Sequence, residues 1–196
     1  MEIEKKYVKY NYSKRNDKIK YIVIHDTGNA GKGADSYAHY NYFNGGDRQA
    51  SAHYFVDDKR IVEIIDPVNH ASWHCGDGKG KYGITNHNSI GVEICVNSDG
   101  DFGKAYKNSI DLVKTLMNKF RIDNNHVVSH YDASRKSCPN TLIKGFYKGY
   151  TWESFKSDIS KSKDKLYRVC IGSYKDIENA RKKAKEVGGF IVEYEQ

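Results

Sequence analysis

No C-x-x-C pair occurs among the four cysteines, Cys75, Cys95, Cys138 and Cys170. Their wide spacing argues against a disulfide framework and a cysteine-only zinc clip. No apolar run approaches the length that crosses a bilayer, so no membrane partner is expected. The opening stretch, MEIEKKYVKYNYSKRNDK, has no apolar core of the kind a secretory leader carries. The expectation is therefore synthesis in a reducing cytoplasm without a signal peptide. If the work is done outside, another route must release the protein.

The 196 residues suffice for one good core and a small appendage. The formal net charge of +7 suits an anionic partner: nucleic acid, membrane or an anionic cell wall. Charge alone does not choose among them. The lysines are dispersed rather than clustered, which argues against a nucleic-acid face.

Residues 1–18 are polar and tyrosine-rich and read as an extended arm. KYIVIHD (20–26) is β-branched and apolar, a buried strand ending at His25. DSYAHYNYFNGG (35–46) reads as a helix stopped by two glycines. SAHYFV (51–56) and IVEIID (61–66) flank the turn DDKR and predict a hairpin. Residues 67–89 form a long glycine-rich loop, and loops of that length in a compact domain are usually functional. IGVEICV (90–96) is a strand. In 104–120, Ile110, Val113, Leu116, Met117 and Phe120 recur at helical spacing. HVVSH (126–130) is short and extended, and YTWESFKSDI (150–159) closes with a helix. The polar SKSKDK (160–165) reads as a linker. The tail, residues 166–196, then reads as strand, helix, strand. It is smaller than the roughly 40 residues that usually fold alone.

Three residues at element ends carry metal-binding chemistry: His25, His130 and Cys138. Zinc accepts two imidazoles and a thiolate, and three protein ligands leave a tetrahedral position open, as catalytic sites do. Blue copper also uses two histidines and a cysteine but wants an axial methionine. The two methionines, Met1 and Met117, lie elsewhere in the chain. From spacing alone the same residues also fit strand-capping histidines and a small buried thiol. Glu93 alternates with Val92 and Ile94, so it faces away from them. That direction can be solvent or a cleft.

IVIHDTGN, SAHYFVD, WHCGDG, HNSIGVEICVN and HYDASRKSCPN occur in that order. Together they resemble the zinc-dependent N-acetylmuramoyl-L-alanine amidases of the type-2 amidase and peptidoglycan-recognition family. The similarity runs from about residue 20 to about residue 155. It implies an α/β fold with a mixed central sheet flanked by helices and a zinc cleft on one face. It also implies one zinc ion per chain, held by His25, His130 and Cys138. Glu93 would be the general base and Lys136 the cation near the oxyanion. Trp73 and His74, in the glycine-rich loop, would face substrate, while His53 would be structural. Asp26, Thr27 and Asp132 flank the ligands and fit either imidazole-orienting or loop-capping roles. Some family members carry a tyrosine where Ala52 stands and lack the strand glutamate; this chain resembles the glutamate-using branch.

The tail is similar to the first half of a SPOR domain, which binds peptidoglycan glycan strands. Two tails pairing in a homodimer would complete one module. The organisation implied is a catalytic domain over 1–159, a linker over 160–165 and a β-α-β appendage over 166–196. The expected partner is bacterial peptidoglycan, with no nucleic acid and no membrane. The expected activity is hydrolysis of the amide between N-acetylmuramic acid and L-alanine, as in a phage or prophage endolysin. The alternative is a non-catalytic peptidoglycan-binding module of the same fold, whose members typically lack the cysteine that is present here at position 138.

Overall fold

The computed structural model describes residues 2–161 and 174–189. Two compact units divide between Lys161 and Ser162. In the first, six strands form a mixed sheet: β1 (Ile3–Lys5), β3 (Tyr21–Asp26), β4 (Tyr54–Val56), β5 (Ile61–Glu63), β7 (Ser89–Ile94) and β8 (Val127–Ser129). Their order is β1-β5-β4-β7-β3-β8. The pairs β1/β5, β4/β7, β7/β3 and β3/β8 are parallel, and only the β4/β5 hairpin is antiparallel. A separate two-stranded sheet joins β2 (Tyr12–Lys14) to β6 (His70–Ser72).

Alternation along β3 and β7 divides their side chains between two faces. Ile22, Ile24, Ile90, Val92 and Ile94 enter the main core. That core is closed by the helices α2 (Phe102–Phe120) and α5 (Trp152–Ser160), through Ile110, Val113, Leu116, Phe155 and Ile159. The Asp101 side chain accepts from the Lys104 backbone N–H and so starts α2. The opposite face carries Val23, His25, Gly91 and Glu93. It is covered beside β4 by α1 (Ser36–Asn44), whose Tyr37, Tyr40 and Phe43 pack with Phe55 and Val62. The sheet thus has one face committed to the core and leaves a stretch of the other for chemistry.

Two segments differ from the expectation. The polar arm is not merely extended, because it contributes β1 and β2 to the two sheets. The loop over 67–89 contains β6 and a 3-10 turn, Gly76–Gly78. Arg15, in the arm, holds that loop down. Its guanidinium donates to the carbonyls of Pro67 at 2.8 Å, His70 at 3.0 Å and Ser89 at 3.1 Å, and also to that of His87. Five donors in a fixed fork suit such a cluster of carbonyls.

In the second unit the described element is the helix α6 (Ile177–Val187), capped by the Asp176 side chain and ended by Gly188 in the left-handed region. The two strands expected around it, the Cys170 position and the pairing of two tails lie outside the described residues. No helix among the described residues is long and apolar enough to cross a membrane.

Leu116 is fully buried where α2 meets the sheet. Leu116→Ala is expected to cost about 2–5 kcal/mol in urea unfolding. A loss under about 1 kcal/mol would mean that α2 does not close this core.

Candidate active site

β3, between β7 and the edge strand β8, delivers His25 near its end, and β8 runs straight into the helix α3 (His130–Ser134), which opens with His130. A capping box between Ser129 and Asp132 fixes the start of α3. Cys138 arrives on the following loop, ahead of the short helix α4 (Asn140–Ile143). Asp26 ties that helix to the end of β3 by accepting from the Thr141 N–H at 2.7 Å and its hydroxyl at 2.8 Å. All three side chains are buried, and a nitrogen from each ring and the thiol sulfur lie within 4.8 Å of one another.

The proton positions follow from the hydrogen bonds. Asp77 Oδ1 lies 2.9 Å from His130 Nε2, and a carboxylate only accepts, so Nε2 carries the proton. On the other side, Ser89 donates its hydroxyl proton to the Thr85 carbonyl. Ser89 Oγ therefore accepts from His74 Nε2 at 3.0 Å, and His74 Nδ1 accepts from His25 Nε2 at 3.0 Å. Burial holds both His25 and His74 well below the usual histidine range, so each ring has a single proton. It follows that His25 Nδ1 and His130 Nδ1 are both bare lone pairs, yet they face each other at 3.1 Å. Cys138 Sγ lies 3.8 Å from His25 Nδ1. The Cys138 thiol can donate to His25 Nδ1, but the two facing nitrogens share no proton between them, and a buried acceptor left without a donor costs roughly 1–3 kcal/mol. A cation between them removes that cost. Two imidazoles and a thiol are donors that a transition-metal ion such as zinc accepts.

Two glycines permit this closeness. A Cβ on Gly91 would lie 2.7 Å from Cγ of the His74 ring, so the strand leaves room for that ring. A Cβ on Gly78 would meet the Ala133 carbonyl oxygen at 2.1 Å. The Asp77 turn can therefore close on α3 and reach His130.

Glu93 is the register neighbour of His25 in the parallel β3/β7 pair, so both side chains leave the same face. Its Oε2 is buried with no hydrogen-bond partner. Burial pushes the carboxyl up to about 8, with Asp26 adding to the rise and Lys136 opposing it. Lys136 is exposed, and its charge is felt at His25, His130, Glu93 and Cys138.

Residues 15–141 match the Amidase_2 family, described as N-acetylmuramoyl-L-alanine amidase. This chain belongs to that family. It is 42% identical over 152 residues to the N-acetylmuramoyl-L-alanine amidase XlyA of Bacillus subtilis, across 78% of this chain and 48% of XlyA. To CwlH of the same organism, also an N-acetylmuramoyl-L-alanine amidase, it is 40% identical over 142 residues, across 72% of this chain and 53% of CwlH. The chain thus spans about half the length of these curated relatives. Its fold matches a solved mutant endolysin from Bacillus subtilis with a TM-score of 0.72 and 41% identity, over 81% of this chain and 98% of that one.

Within the amidase fold, the residues singled out in the sequence fall in different places. His25, His130, Cys138, Glu93 and Lys136 share one site. His74 is buried behind His25 and hydrogen-bonded to it, so it orients the imidazole and does not line the surface. Trp73 is half-buried beside the arm, with its indole N–H 3.5 Å from Ser13 Oγ. His53 is fully buried among Arg15, Ser72 and Gly91. Asp26 and Asp132 take the capping roles. The residues that orient the two imidazoles, Asp77 and the Ser89–His74 pair, were not identified as such from sequence. Their signal lay in the quoted WHCGDG and NSIG segments, but nothing local pairs them with His130 or His25.

Removing the Ser89 hydroxyl frees His74 to change tautomer and so to compete for the His25 proton. Ser89→Ala is expected to lower metal affinity about 10–100-fold in competition with a chelating dye. Unchanged affinity would mean that the ring is oriented by something else.

Proposed function

We propose that this chain hydrolyses the amide between the lactyl group of N-acetylmuramic acid and L-alanine in bacterial peptidoglycan, using one zinc ion held by His25, His130 and Cys138. The observation that carries the reading is the facing pair of bare ring nitrogens beside a thiol, with the unpartnered Glu93 carboxyl on the same face. Zinc held there would supply Lewis acidity, polarising the substrate carbonyl and making water a nucleophile near neutral pH.

The rest belongs to the chain's own side chains. Glu93 Oε2 has no protein partner to compete for it, so it is free to take a proton from the attacking water. Its raised pKa lets it hold that proton and pass it to the departing amine of L-alanine. Lys136, whose charge is felt at Glu93 and Cys138, would stabilise negative charge developing on the carbonyl oxygen. His74 and Asp77 keep the two imidazoles turned with Nδ1 inward. The names of the relatives support the substrate, and the similarity to an endolysin supports a lytic enzyme of phage or prophage origin that reaches the wall after release.

Incubation with purified Gram-positive walls is expected to expose new N-terminal alanine without new reducing sugar ends. New reducing ends without new amines would overturn the assignment. Chelation should stop the reaction, and added zinc should restore it. Glu93→Gln is expected to lower turnover by about 10²–10⁴-fold while retaining the metal. Loss of metal in that variant would make Glu93 a ligand instead.

A further inference from the structure

Lys136 is exposed, and among the described residues its ammonium group has no hydrogen-bond or ion-pair partner. Its charge is nonetheless felt at His25, Asp77, Glu93, His130 and Cys138. A lysine carries its charge on a flexible four-carbon stem, and nothing fixes the head of this one. Where the charge falls is therefore decided by the backbone that carries the stem. What holds the peptide of residue 136 in place then bears on the chemistry.

That peptide is held from the glycine-rich loop. The Asp77 carboxylate is shared between two donors: Oδ1 accepts from His130 Nε2 at 2.9 Å, and Oδ2 accepts from the Ser134 hydroxyl at 3.2 Å. Ser134 has a single hydroxyl proton, so its oxygen is left as an acceptor. It receives the Lys136 backbone N–H at 3.2 Å. Lys136 N–H, Ser134 and Asp77 thus form one directed chain. A second strut lies beside it. Arg135 ends α3 in the left-handed region, at φ 70°, with its N–H bonded to the Tyr131 carbonyl at 2.8 Å. That conformation is uncommon for a residue other than glycine. Its guanidinium lies 4.0 Å from the centre of the Tyr82 ring and 5.1 Å from that of Tyr131, a cation–π contact that ties the turn to the same loop.

We infer that Ser134 is a positioning residue, which carries the Asp77 anchor to the peptide of Lys136 and so aims the cation at the oxyanion. One carboxylate then serves two parts of the site through separate oxygens: Oδ1 turns the His130 imidazole, and Oδ2 sets the backbone under Lys136. Removing the Ser134 hydroxyl cuts only the second connection. The inference rests on the amidase reading for the role of Lys136.

Kinetics of the zinc-loaded full chain on a soluble muramoyl tetrapeptide, with zinc affinity measured separately against a chelating dye, test this. Ser134→Ala is expected to lower kcat about 10–100-fold, as a displaced catalytic group does. KM and zinc affinity should stay within about two-fold, because neither the His130 bond nor ground-state binding is touched. Ser134→Thr keeps the hydroxyl and should recover most of the rate. In a Lys136→Ala background, Ser134→Ala should change the rate by less than about two-fold, since the group it positions is gone. Hydrogen exchange in the metal-free protein reads the bridge without catalysis: the Lys136 N–H should exchange about three- to ten-fold faster in Ser134→Ala. An undiminished kcat in Ser134→Ala, or a full further loss in the Lys136→Ala background, would overturn the inference and leave the amidase reading intact. Zinc affinity falling in step with turnover would overturn it too, because Ser134 would then act through the metal site. A wild type that leaves the tetrapeptide uncleaved would instead overturn the amidase reading, and the role of Lys136 with it.

Discussion

His25 and His130 face each other through ring nitrogens 3.1 Å apart, and the surrounding hydrogen bonds place a proton on neither. Much of the domain's architecture can be traced to holding that arrangement. Parallel pairing sets β3 between β7 and β8, so that one strand ends at His25 and its neighbour runs into His130. The capping box of α3 and the Asp26–Thr141 bonds then bring the Cys138 loop over the same spot. Two facing lone pairs are unfavourable by themselves, so a cation held between them would couple folding of this region to metal binding.

The orienting groups reach the site from far along the chain. Asp77 is 53 positions from His130, and His74 is 49 from His25. Both come from the glycine-rich loop over 67–89, which Arg15 pins to the body of the domain through its carbonyls. The tyrosine-rich arm therefore matters to the chemistry without touching it. It anchors the loop, the loop supplies Asp77 and His74, and these turn the two imidazoles. Gly91 and Gly78 are the positions where any side chain would break that sequence of contacts.

Much of this was legible in the sequence, for physical reasons. YIVIHD and SIGVEI are β-branched runs whose alternation survives folding because one face is fully buried. The 104–120 periodicity holds because α2 has a single core to face. The five ordered motifs pointed to the fold and to the cluster of two histidines and a cysteine. What was not legible depends on contacts between distant segments. The arm's strands β1 and β2 are three residues each and carry no strong apolar alternation, so only their partners reveal them. His74 stands in a loop rich in polar residues, and only the missing side chain of Gly91 shows that it turns inward. His39 reads as one more polar residue on α1 until Phe55 is seen beneath it.

Readiness of the site for a metal depends on the tautomers of two rings. Nitrogen-15 NMR of histidine side chains in the metal-free and zinc-loaded protein observes them directly. His25 and His130 are both expected to carry their proton on Nε2 before loading, and zinc is expected to shift Nδ1 of both. A proton on Nδ1 of either ring, or zinc shifting Nε2 instead, would contradict it.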